Sequence, residues 1–525
     1  GEGDLLAALQ PAVGVGVDLL RARARAGETM TQADLQADLQ APMDLAPRDP
    51  AEERYRRERT AHWDAVARRR GRLAGAYHRR LERVYRFLIP PGSRVLEIGC
   101  GEGDLLAALQ PAVGVGVDLS GEMVRRAAER HPDLRFLQAD AHELADLGGL
   151  SQEKAFDFII LSDLINDAWD VQRLLHRIAP LASRRTRLIL NFYSRLWELP
   201  LALAQRLGLA RPVLYQNWLT VSDVKNLLRL AGFQTIRHWP EVLLPLPIPL
   251  LAGLCNRFLV RFWPFRHLAL ANFLVARPAP RPLPEEPVVS VIVPARNEEG
   301  NIPNIFARTP EMGAGTELVF VEGHSKDGTW EAIQREIAAH PERRARAFQQ
   351  TGKGKGDAVR LGFAEAAGDV LMILDADLTV PPEDLPRFCE ALVAGKGDFI
   401  NGVRLVYPME RKAMRFLNLL GNKFFSLALS WLLEQPIKDS LCGTKVLLAS
   451  DYQRIADNRA FFGDFDPFGD FDLLFGAARL NMKIVDLPVR YRARTYGDTK
   501  ISRFAHGWLL LKMTVFGFRK LRMGL

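Results

Sequence analysis

The chain has 525 residues, 48% of them hydrophobic and 25% charged, a composition typical of a globular protein with roughly two to four domains. The net charge is +8, and residues 51–90 hold 12 arginines against 5 acids, which indicates an anionic partner or a solvated helix face. Four cysteines without metal or redox spacing argue against zinc, and no apolar run reaches the ~18 residues of a spanning helix.

The opening stretch, GEGDLLAALQPAVGVGVDL, recurs unchanged at residues 101–119. True structural repeats diverge because each copy packs against different neighbours, and only the second copy follows a strand-like run, RVLEIGC. We therefore interpret residues 1–29 as an artefactual or disordered tail. Residues 30–89 are predicted to be a basic helical lead-in, because apolar side chains recur at helical spacing between Trp63 and Phe87.

Beyond the lead-in, short β-rich runs alternate with helical patterns over residues 90–278 and again over residues 288–505. This rhythm predicts mainly parallel sheets covered by helices. The proline-rich stretch between them predicts an extended, semi-rigid linker at residues 279–287. Residues 506–525 are expected to form a basic amphipathic helix. The fold class is therefore α/β, with two tandem Rossmann-like domains joined by a Pro-rich linker.

The first domain has polar residues at the predicted carboxyl edge of its sheet. The run LEIGCGEG ends a strand in an acid and continues into a G-x-G-x-G turn, whose glycines allow a tight reversal and close approach of a ligand. The dinucleotide fingerprint differs from this turn by one position. The next three strands also end in acids, and an acid after the second strand can accept both ribose hydroxyls. The acids are Glu97, Asp118, Asp140 and Asp163, and the glycines are Gly99, Gly101 and Gly103.

These strand ends resemble the class I S-adenosylmethionine-dependent methyltransferases across residues 60–278. The resemblance implies that S-adenosyl-L-methionine is the cofactor, with Glu97 and the glycine turn beside its methionine moiety. It also implies that Asp118 contacts the ribose, and Asp140 with Ala141 the adenine. Methyl transfer needs a base only where the nucleophile carries a proton, and the sequence does not identify the acceptor. The candidates for that base are His142, Asp163, Asp167 and Tyr193.

The second domain places two carboxylates, Asp375 and Asp377, at the end of the apolar run VLMIL. Two carboxylates so close together are costly unless a cation neutralises them, and hard divalent ions prefer oxygen ligands. We therefore expect Mg²⁺ or Mn²⁺ here, carrying substrate phosphates. The preceding loop TGKGKGDAV, which contains Lys355, is not a Walker A loop because no Gly-Lys pair is followed by Ser or Thr.

With VPARNEE, VEGHSKDGT and GKGKGDAV in order before this acid pair, residues 288–505 resemble family 2 glycosyltransferases of the GT-A fold. The resemblance implies a nucleotide-sugar donor, with Asp375 and Asp377 on the metal. The second strand ends in Glu322 instead of an Asp-rich turn, and this acid and the ending R-x-x-G-x-[ST]-K are similar to the dolichyl-phosphate mannose synthase branch. Two cations in that ending can neutralise a diphosphate or an acceptor phosphate. The implied donor-binding residues are Pro294, Ala295, Glu298, Glu322, Lys355, Asp375, Arg494 and Lys500.

The catalytic base of the second domain has two candidates, Asp470 and Asp472. A sugar-hydroxyl acceptor needs a carboxylate to take its proton, and the family's usual Glu-Asp pair is replaced by Gly469-Asp470. Both aspartates are alternatively structural. An ionised lipid-phosphate acceptor needs no base, so the acceptor is expected to be a glycan or a polyprenyl phosphate.

Three apolar stretches bear on where the chain acts. Residues 413–433 and 506–525 are predicted to lie at a membrane interface or, alternatively, in the core or between the domains. Residues 243–263 are interrupted by three prolines and two arginines and are expected to be buried core, with a position on a bilayer surface as the alternative. The expected location is the cytoplasm, with the inner face of a membrane as an alternative. No nucleic-acid partner is expected, because the basic helix lacks interleaved exposed aromatic side chains and any RNA-binding signature.

Together these features predict a bifunctional enzyme, a methyltransferase joined to an inverting, metal-dependent glycosyltransferase. One alternative is that the methyltransferase-like domain regulates or scaffolds and transfers no methyl group. Another is that the second domain is a nucleotidyltransferase, although it lacks the glycine-rich first loop with an arginine that such enzymes use on triphosphates. The oligomeric state is left open.

Overall fold

The structure is a computed structural model that describes residues 49–68, 75–146, 155–207, 214–246, 248–407, 416–463, 469–492, 494, 496 and 503–522. The predicted tail at residues 1–29 and the predicted donor-binding Lys500 lie outside the described residues. By its internal contacts the chain divides into two units, Gly1–Glu58 and Arg59–Leu525. The described part of the first unit is the beginning of helix α1.

The elements of the first domain follow the predicted alternation. Its helices are α1 (Pro50–Arg68), α2 (Gly75–Leu88), α3 (Asp104–Ala108), α4 (Gly121–Arg130), α5 (Val171–Ile178), α6 (Glu198–Arg206) and α7 (Val221–Leu230). Its strands are β1 (Arg94–Ile98), β2 (Val113–Asp118), β3 (Arg135–Gln138), β4 (Phe158–Ser162), β5 (Arg187–Tyr193), β6 (Phe233–Glu241) and β7 (Ala271–Pro278). Short helical turns occupy Ala141–Asp146, Leu251–Gly253, Leu254–Phe258, Leu259–Arg261 and Phe265–Leu268.

The second domain begins at strand β8 and repeats the pattern. Its strands are β8 (Val288–Ala295), β9 (Gly315–Glu322), β10 (Arg344–Gln349), β11 (Val370–Ile373), β12 (Phe399–Val403), β13 (Lys445–Leu448) and β14 (Ile484–Pro488). Its helices are α8 (Ile302–Arg308), α9 (Thr329–Ala339), α10 (Lys355–Glu365), α11 (Leu385–Val393), α12 (Phe416–Leu433), α13 (Ala449–Asp457), α14 (Asp470–Arg479) and α15 (Arg503–Gly517).

The first sheet has the strand order β3-β2-β1-β4-β5-β7-β6. Strands β1 to β5 are parallel, whereas β7 is antiparallel to both of its neighbours. The order reverses between β1 and β4, which is where doubly wound sheets bind ligands at the carboxyl ends of their strands. The acids predicted after β1 to β4 all lie at this edge.

The second sheet has the order β10-β9-β8-β11-β13-β12-β14. Strands β8 to β11 run parallel, and β13 is antiparallel to β11 and β12. The predicted α/β class with two tandem Rossmann-like domains is confirmed. The alternation rule did not find β10, because its sequence RARAFQ is half exposed at the sheet edge and carries two arginines.

A buried ion cluster joins the two domains. Arg187 of β5 and Arg277 of β7 donate to the two carboxylate oxygens of Asp398, at 2.7 and 2.9 Å, and all three side chains are at most 4% exposed. Burial alone raises the pKa of Asp398, but the two guanidinium groups lower it below its ordinary value. The proline-rich stretch is therefore not the domains' sole connection, because they share a desolvated contact.

The expectation that residues 243–263 are buried core is wrong. Leu250 and Trp263 are 93% and 78% exposed, and Leu251, Leu254 and Phe258 are also exposed. Helix α15 is partly buried, since Leu510 and Met513 pack in the core of the second domain while Trp508 and Val515 are exposed.

Candidate functional sites

The glycine turn after β1 has the backbone conformation that its sequence requires. Gly99, Gly101 and Gly103 have φ values of +77°, +54° and +77°, in the left-handed region that favours glycine. A Cβ at Gly101 would meet nothing within 4 Å, so the need for glycine there is conformational, and the space beside it is open. The Gly101 amide donates to Asp118 Oδ2 at 2.9 Å, which ties the turn to the end of β2.

Glu97 is a buried acid without a cation. Its side chain is 2% exposed, and Oε2 has no hydrogen-bond partner among the described residues. Burial, followed by the negative charge of Asp118, raises the pKa of Glu97 to about 8. An unsatisfied carboxylate oxygen in this position fits a ligand with a cationic or hydrogen-bond-donating group.

The acids after β2 and β3 are held in place by short-range contacts. Asp118 accepts from the Gly101 and Ser120 amides, both at 2.9 Å, while burial raises its pKa. Asp140 accepts from the His142 amide and lies 2.7 Å from His142 Nδ1, and Ala141 begins the following helical turn. The structure therefore brings the predicted cofactor residues to one edge of the sheet.

The four candidate bases have different surroundings. His142 contacts Asp140 through Nδ1 and the backbone of Asp170 through Nε2. Asp167 lies 3.2 Å from the Arg59 guanidinium and accepts from Trp63 Nε1 at 2.8 Å. Both side chains are thus engaged by structural partners.

Asp163 is the candidate with an accessible oxygen. Its Oδ1 accepts from the Tyr77 hydroxyl at 2.9 Å and from Asn191 Nδ2, whereas Oδ2 has no bonding partner in the described ranges. Burial raises the pKa of Asp163 to about 7, the range suited to a general base. Its backbone has φ +54°, a strained value of the kind found at functional sites. The fourth candidate, Tyr193, packs beside Tyr77, with the two ring centres 6.0 Å apart.

In the second domain, two loops at the carboxyl edge are fastened to each other. Ala295 at the end of β8 pairs with Glu322 at the end of β9, and Pro294 precedes it. Asn297, with φ +55°, accepts from the Lys326 amide at 2.8 Å. Glu322 accepts from the Ser325 amide, so its carboxylate orders the turn after β9.

The predicted donor and metal residues meet beside these loops as acid–cation pairs. Lys355 Nζ lies 2.5 Å from Asp375 Oδ1, and the Arg494 guanidinium lies 2.6 Å from Asp377 and 3.5 Å from Glu298. Burial alone raises the pKa of Asp375, but Lys355 lowers it below its ordinary value. The described residues contain no group of three or more His, Cys, Asp or Glu side chains placed to hold a metal ion by themselves. A divalent ion held here by two carboxylates and substrate phosphates fits the usual coordination of Mg²⁺.

Family models match both halves of the chain. Residues 66–238 match the model described as "Methyltransferase domain", and residues 290–454 match "Glycosyl transferase family 2". The chain carries a methyltransferase domain and a family 2 glycosyltransferase domain. The predicted recognition of both domains is thereby confirmed.

Individual relatives are similar over parts of the chain. A dolichol-phosphate mannosyltransferase of Pyrococcus furiosus is 40% identical over 225 residues, 41% of this chain and 59% of that protein. An undecaprenyl-phosphate 4-deoxy-4-formamido-L-arabinose transferase of Aeromonas hydrophila is 32% identical over 112 residues, 21% of this chain and 34% of that protein. The chain thus spans about half or less of each relative. A solved S-adenosylmethionine-dependent methyltransferase of Mesorhizobium loti is 20% identical, with 37% of this chain and 96% of that chain covered and a TM-score of 0.29.

Both candidate bases of the glycosyltransferase domain are paired with cations. Asp470, at the start of α14, lies 3.0 Å from the ammonium of fully buried Lys445, which also donates to the Cys442 carbonyl. Asp472 accepts from the Arg459 guanidinium at 2.9 Å. Each of these acids therefore already has a cationic partner within the fold.

Sequence analysis missed the cations that organise this domain. Lys445 lies in the apolar strand β13, and Arg404 after β12 makes a bidentate pair with buried Asp439 at 2.7 and 2.9 Å. A lysine within the otherwise apolar run KVLL was the available signal, since a buried lysine requires an anion. In the part of the chain that the structure describes, no helix is both long and apolar enough to cross a bilayer.

Proposed function

We propose that the glycosyltransferase domain moves a sugar, with inversion, from a nucleoside-diphosphate donor to a polyprenyl phosphate. The observation that carries this proposal is the pairing of Asp470 with Lys445 and of Asp472 with Arg459. A hydroxyl acceptor needs a carboxylate that can take up a proton, whereas an ionised phosphate does not. The names of both polyprenyl-phosphate relatives support the same acceptor class.

We propose that Asp375 and Asp377 hold a divalent cation, Mg²⁺ or Mn²⁺, beside the donor. The ion would neutralise charge developing on the diphosphate leaving group. Lys355 and Arg494, which now neutralise these carboxylates, lie close enough to donate to the phosphates instead. Pro294, Ala295, Glu298 and Glu322 are proposed to contact the base and ribose.

A thermal-shift screen of UDP-, GDP- and dTDP-sugars with Mn²⁺ tests the donor and metal assignments. One donor class is expected to stabilise the parent and the control Glu390→Gln, an exposed change on α11, but not Asp377→Asn. Equal stabilisation of Asp377→Asn would contradict the metal site. Sugar transfer to dolichyl phosphate but not to a free glycan would support the acceptor class, and the reverse result would refute it.

We propose that the methyltransferase domain binds S-adenosyl-L-methionine and transfers its methyl group. The unsatisfied Oε2 of buried Glu97, beside the open glycine turn, supports a cationic ligand. When bound, the cofactor supplies an activated methyl group on a sulfonium, which needs mainly correct alignment with the acceptor. We expect Asp118 to hold the ribose, and Asp140 with Ala141 to hold the adenine.

Within this domain we propose Asp163 as the base that takes the acceptor's proton. Tyr77 and Asn191 donate to its Oδ1, so Oδ2 is the oxygen that we propose takes up the proton. Asp163→Asn should lower methyl transfer by roughly 10²- to 10⁴-fold with unchanged cofactor affinity. An unchanged rate would assign Asp163 a structural role.

Calorimetric titration with S-adenosyl-L-methionine separates this function from the scaffold alternative. Binding is expected for the parent and for the control Asp133→Asn, an exposed change, and should be strongly weakened in Asp118→Asn. No binding heat from the intact protein would favour a scaffold. We further propose that both domains modify one glycolipid in the cytoplasm, which the buried Asp398 contact and four free thiols support.

A further inference from the structure

The methyltransferase domain carries an exposed apolar stripe along α6 and the residues that flank it. Leu196, Leu199, Leu203 and Leu207 recur at helical spacing, and each is at least 58% exposed. None of the residues of α6 itself is buried. A helix that presents leucines to solvent along one face needs a partner, because isolated exposed leucines are common but aligned ones are not.

A second apolar element, residues 248–268, lies next to this stripe. The Trp197 indole donates to the Leu268 carbonyl at 2.9 Å, and the Ser194 amide donates to the Leu270 carbonyl at 2.7 Å. The exposed apolar side chains of this element are Ile248, Leu250, Leu251, Leu254, Phe258, Phe262, Trp263, Phe265 and Leu268. We call α6 and residues 248–268 together the apolar surface.

Polar anchors beneath the apolar surface hold it in place. Buried Glu241 accepts from Arg80 of α2 at 2.9 Å and from Arg261, which belongs to residues 248–268. Asn256 Oδ1 accepts from the Leu244 amide at 2.7 Å, and Asn256 Nδ2 donates to the Leu244 carbonyl. The exposed side chains are therefore displayed on an ordered backbone.

The apolar surface connects the methyl-acceptor side to the glycosyltransferase domain. At one end Leu201 of α6 packs in the same apolar cluster as Tyr193, the last residue of β5. At the other end Phe262 stacks on Trp431 of α12 with ring centres 5.6 Å apart, and Trp431 stacks on Phe518 at 5.5 Å. Helix α15, just before Phe518, continues the pattern with exposed Trp508, Leu511 and Val515.

The charges around this surface favour an anionic partner. Residues 242–284 contain no Asp or Glu, and neither do residues 503–522. The first range contributes Arg257 and Arg266 near the exposed aromatics, and the second contributes exposed Lys512 and Arg519. Helix α6 adds one exposed acid, Glu198, and one exposed base, Arg206. Apolar side chains surrounded mostly by basic ones match the boundary between anionic head groups and acyl chains.

We infer that the apolar surface of the methyltransferase domain docks on an anionic phospholipid bilayer. Docking places the Asp163 side of the methyltransferase and the aromatic junction with the glycosyltransferase at the same lipid boundary. The methyl acceptor is then an amphiphile presented from the bilayer. The docking itself needs neither a donor nor a cofactor and stands independently of both transfer reactions, whereas the class of methyl acceptor rests on the proposed methyl transfer.

Vesicle flotation of the full chain tests this inference. The parent should bind vesicles of phosphatidylcholine mixed with phosphatidylglycerol, and should bind phosphatidylcholine alone at least tenfold more weakly. The double variants Leu199→Asp/Leu203→Asp and Leu250→Asp/Trp263→Asp should each bind at least tenfold more weakly than the parent. Leu230→Asp, an exposed change at the end of α7 outside the apolar surface, is the matched control and should bind like the parent.

Two results would overturn the inference. One is vesicle binding by both double variants at the parental level, which would leave the apolar surface without a role in binding. The other is a parental dimer, measured by light scattering, that the double variants convert to monomers, because the surface would then join two copies of the chain. Thermal unfolding of each variant confirms that a loss of binding comes from a folded protein.

Discussion

The two candidate sites differ in whether their buried acids have cationic partners. In the methyltransferase domain Glu97 has an unsatisfied oxygen, and the pKa values of both Glu97 and Asp118 lie above their ordinary range. In the glycosyltransferase domain, Asp375 has a lysine partner and Asp377 an arginine partner. The first site has an excess of negative charge, and the second is balanced by its own cations.

This difference indicates the charge of each ligand. An excess of buried carboxylate is relieved by a cationic ligand, which suits a sulfonium and an ammonium group. A site of matched acids and bases can exchange partners instead, with a metal ion taking the acids and phosphates taking the bases. The two sheets have a similar architecture, but the polar groups at their strand ends differ. We therefore infer ligands of different charge for the two sites.

The largest expected effect on the rate of sugar transfer comes from breaking the Asp375–Lys355 pair. Asp375→Asn removes one proposed metal ligand and leaves Lys355 without its anion, so sugar transfer should fall by roughly 10³-fold. Initial rates of nucleoside-diphosphate release, with and without Mn²⁺, measure the loss. Glu390→Gln is the control, and activity of Asp375→Asn within tenfold of the parent would show that this acid has no part in the reaction.

A smaller effect is expected when Glu97 is replaced by its neutral amide. Glu97→Gln should weaken S-adenosyl-L-methionine binding roughly 10- to 100-fold, the range for one charge-assisted hydrogen bond. Without ligand the same variant should be more thermostable than the parent above pH 8, because it removes a buried charge. Glu102→Gln, on the same turn but paired with surface arginines, should change neither quantity. A destabilised Glu97→Gln protein would mean that Glu97 is already satisfied.

The sequence predicts much of this contrast but not all of it. Strand ends carry the site acids because buried strands are apolar and their last residues are exposed to the cleft, so Glu97, Asp118 and Asp375 could be located by pattern. The glycine turn was predictable for the same local reason. Local patterns also identified the parallel strands of the first sheet and, apart from β10, those of the second.

The features that the sequence did not predict depend on contacts between residues far apart in the chain. Lys445 and Arg459 neutralise Asp470 and Asp472 only because α14 packs beside β13 and the turn after α13. The Arg187–Asp398 pair joins residues 211 positions apart. Residues 243–263 were expected to be core because apolar runs usually are, yet buried Glu241 anchors this run at the surface.

A pH titration sharpens the comparison. The folded-state pKa of Glu97, about 8, exceeds its ordinary value, so the stability that this group contributes is fully present at acid pH and is lost as pH rises through 8. A cationic ligand prefers the ionised acid, so cofactor affinity should rise by up to tenfold per pH unit below 8 and then level off. Calorimetry in buffers of different ionisation enthalpy should detect release of about one proton. Donor binding should show no such proton release, because Lys355 lowers the pKa of Asp375. A cofactor affinity that does not change with pH would show that Glu97 does not contact the cofactor.

The smallest effect on the transfer rate is expected at Asp470 and Asp472, to which we assign a structural role. Asp470→Asn keeps an oxygen for Lys445, which also retains the Cys442 carbonyl, so the thermal midpoint should fall while kcat with a polyprenyl phosphate stays within about tenfold. Asp472→Asn should behave likewise through Arg459. A catalytic base would show the reverse pattern, with a rate loss of roughly 10²- to 10⁴-fold and a changed pH–rate profile in a protein of parental stability. Because the two roles predict opposite changes in stability and rate, measuring both on each variant decides whether the acceptor brings its own negative charge.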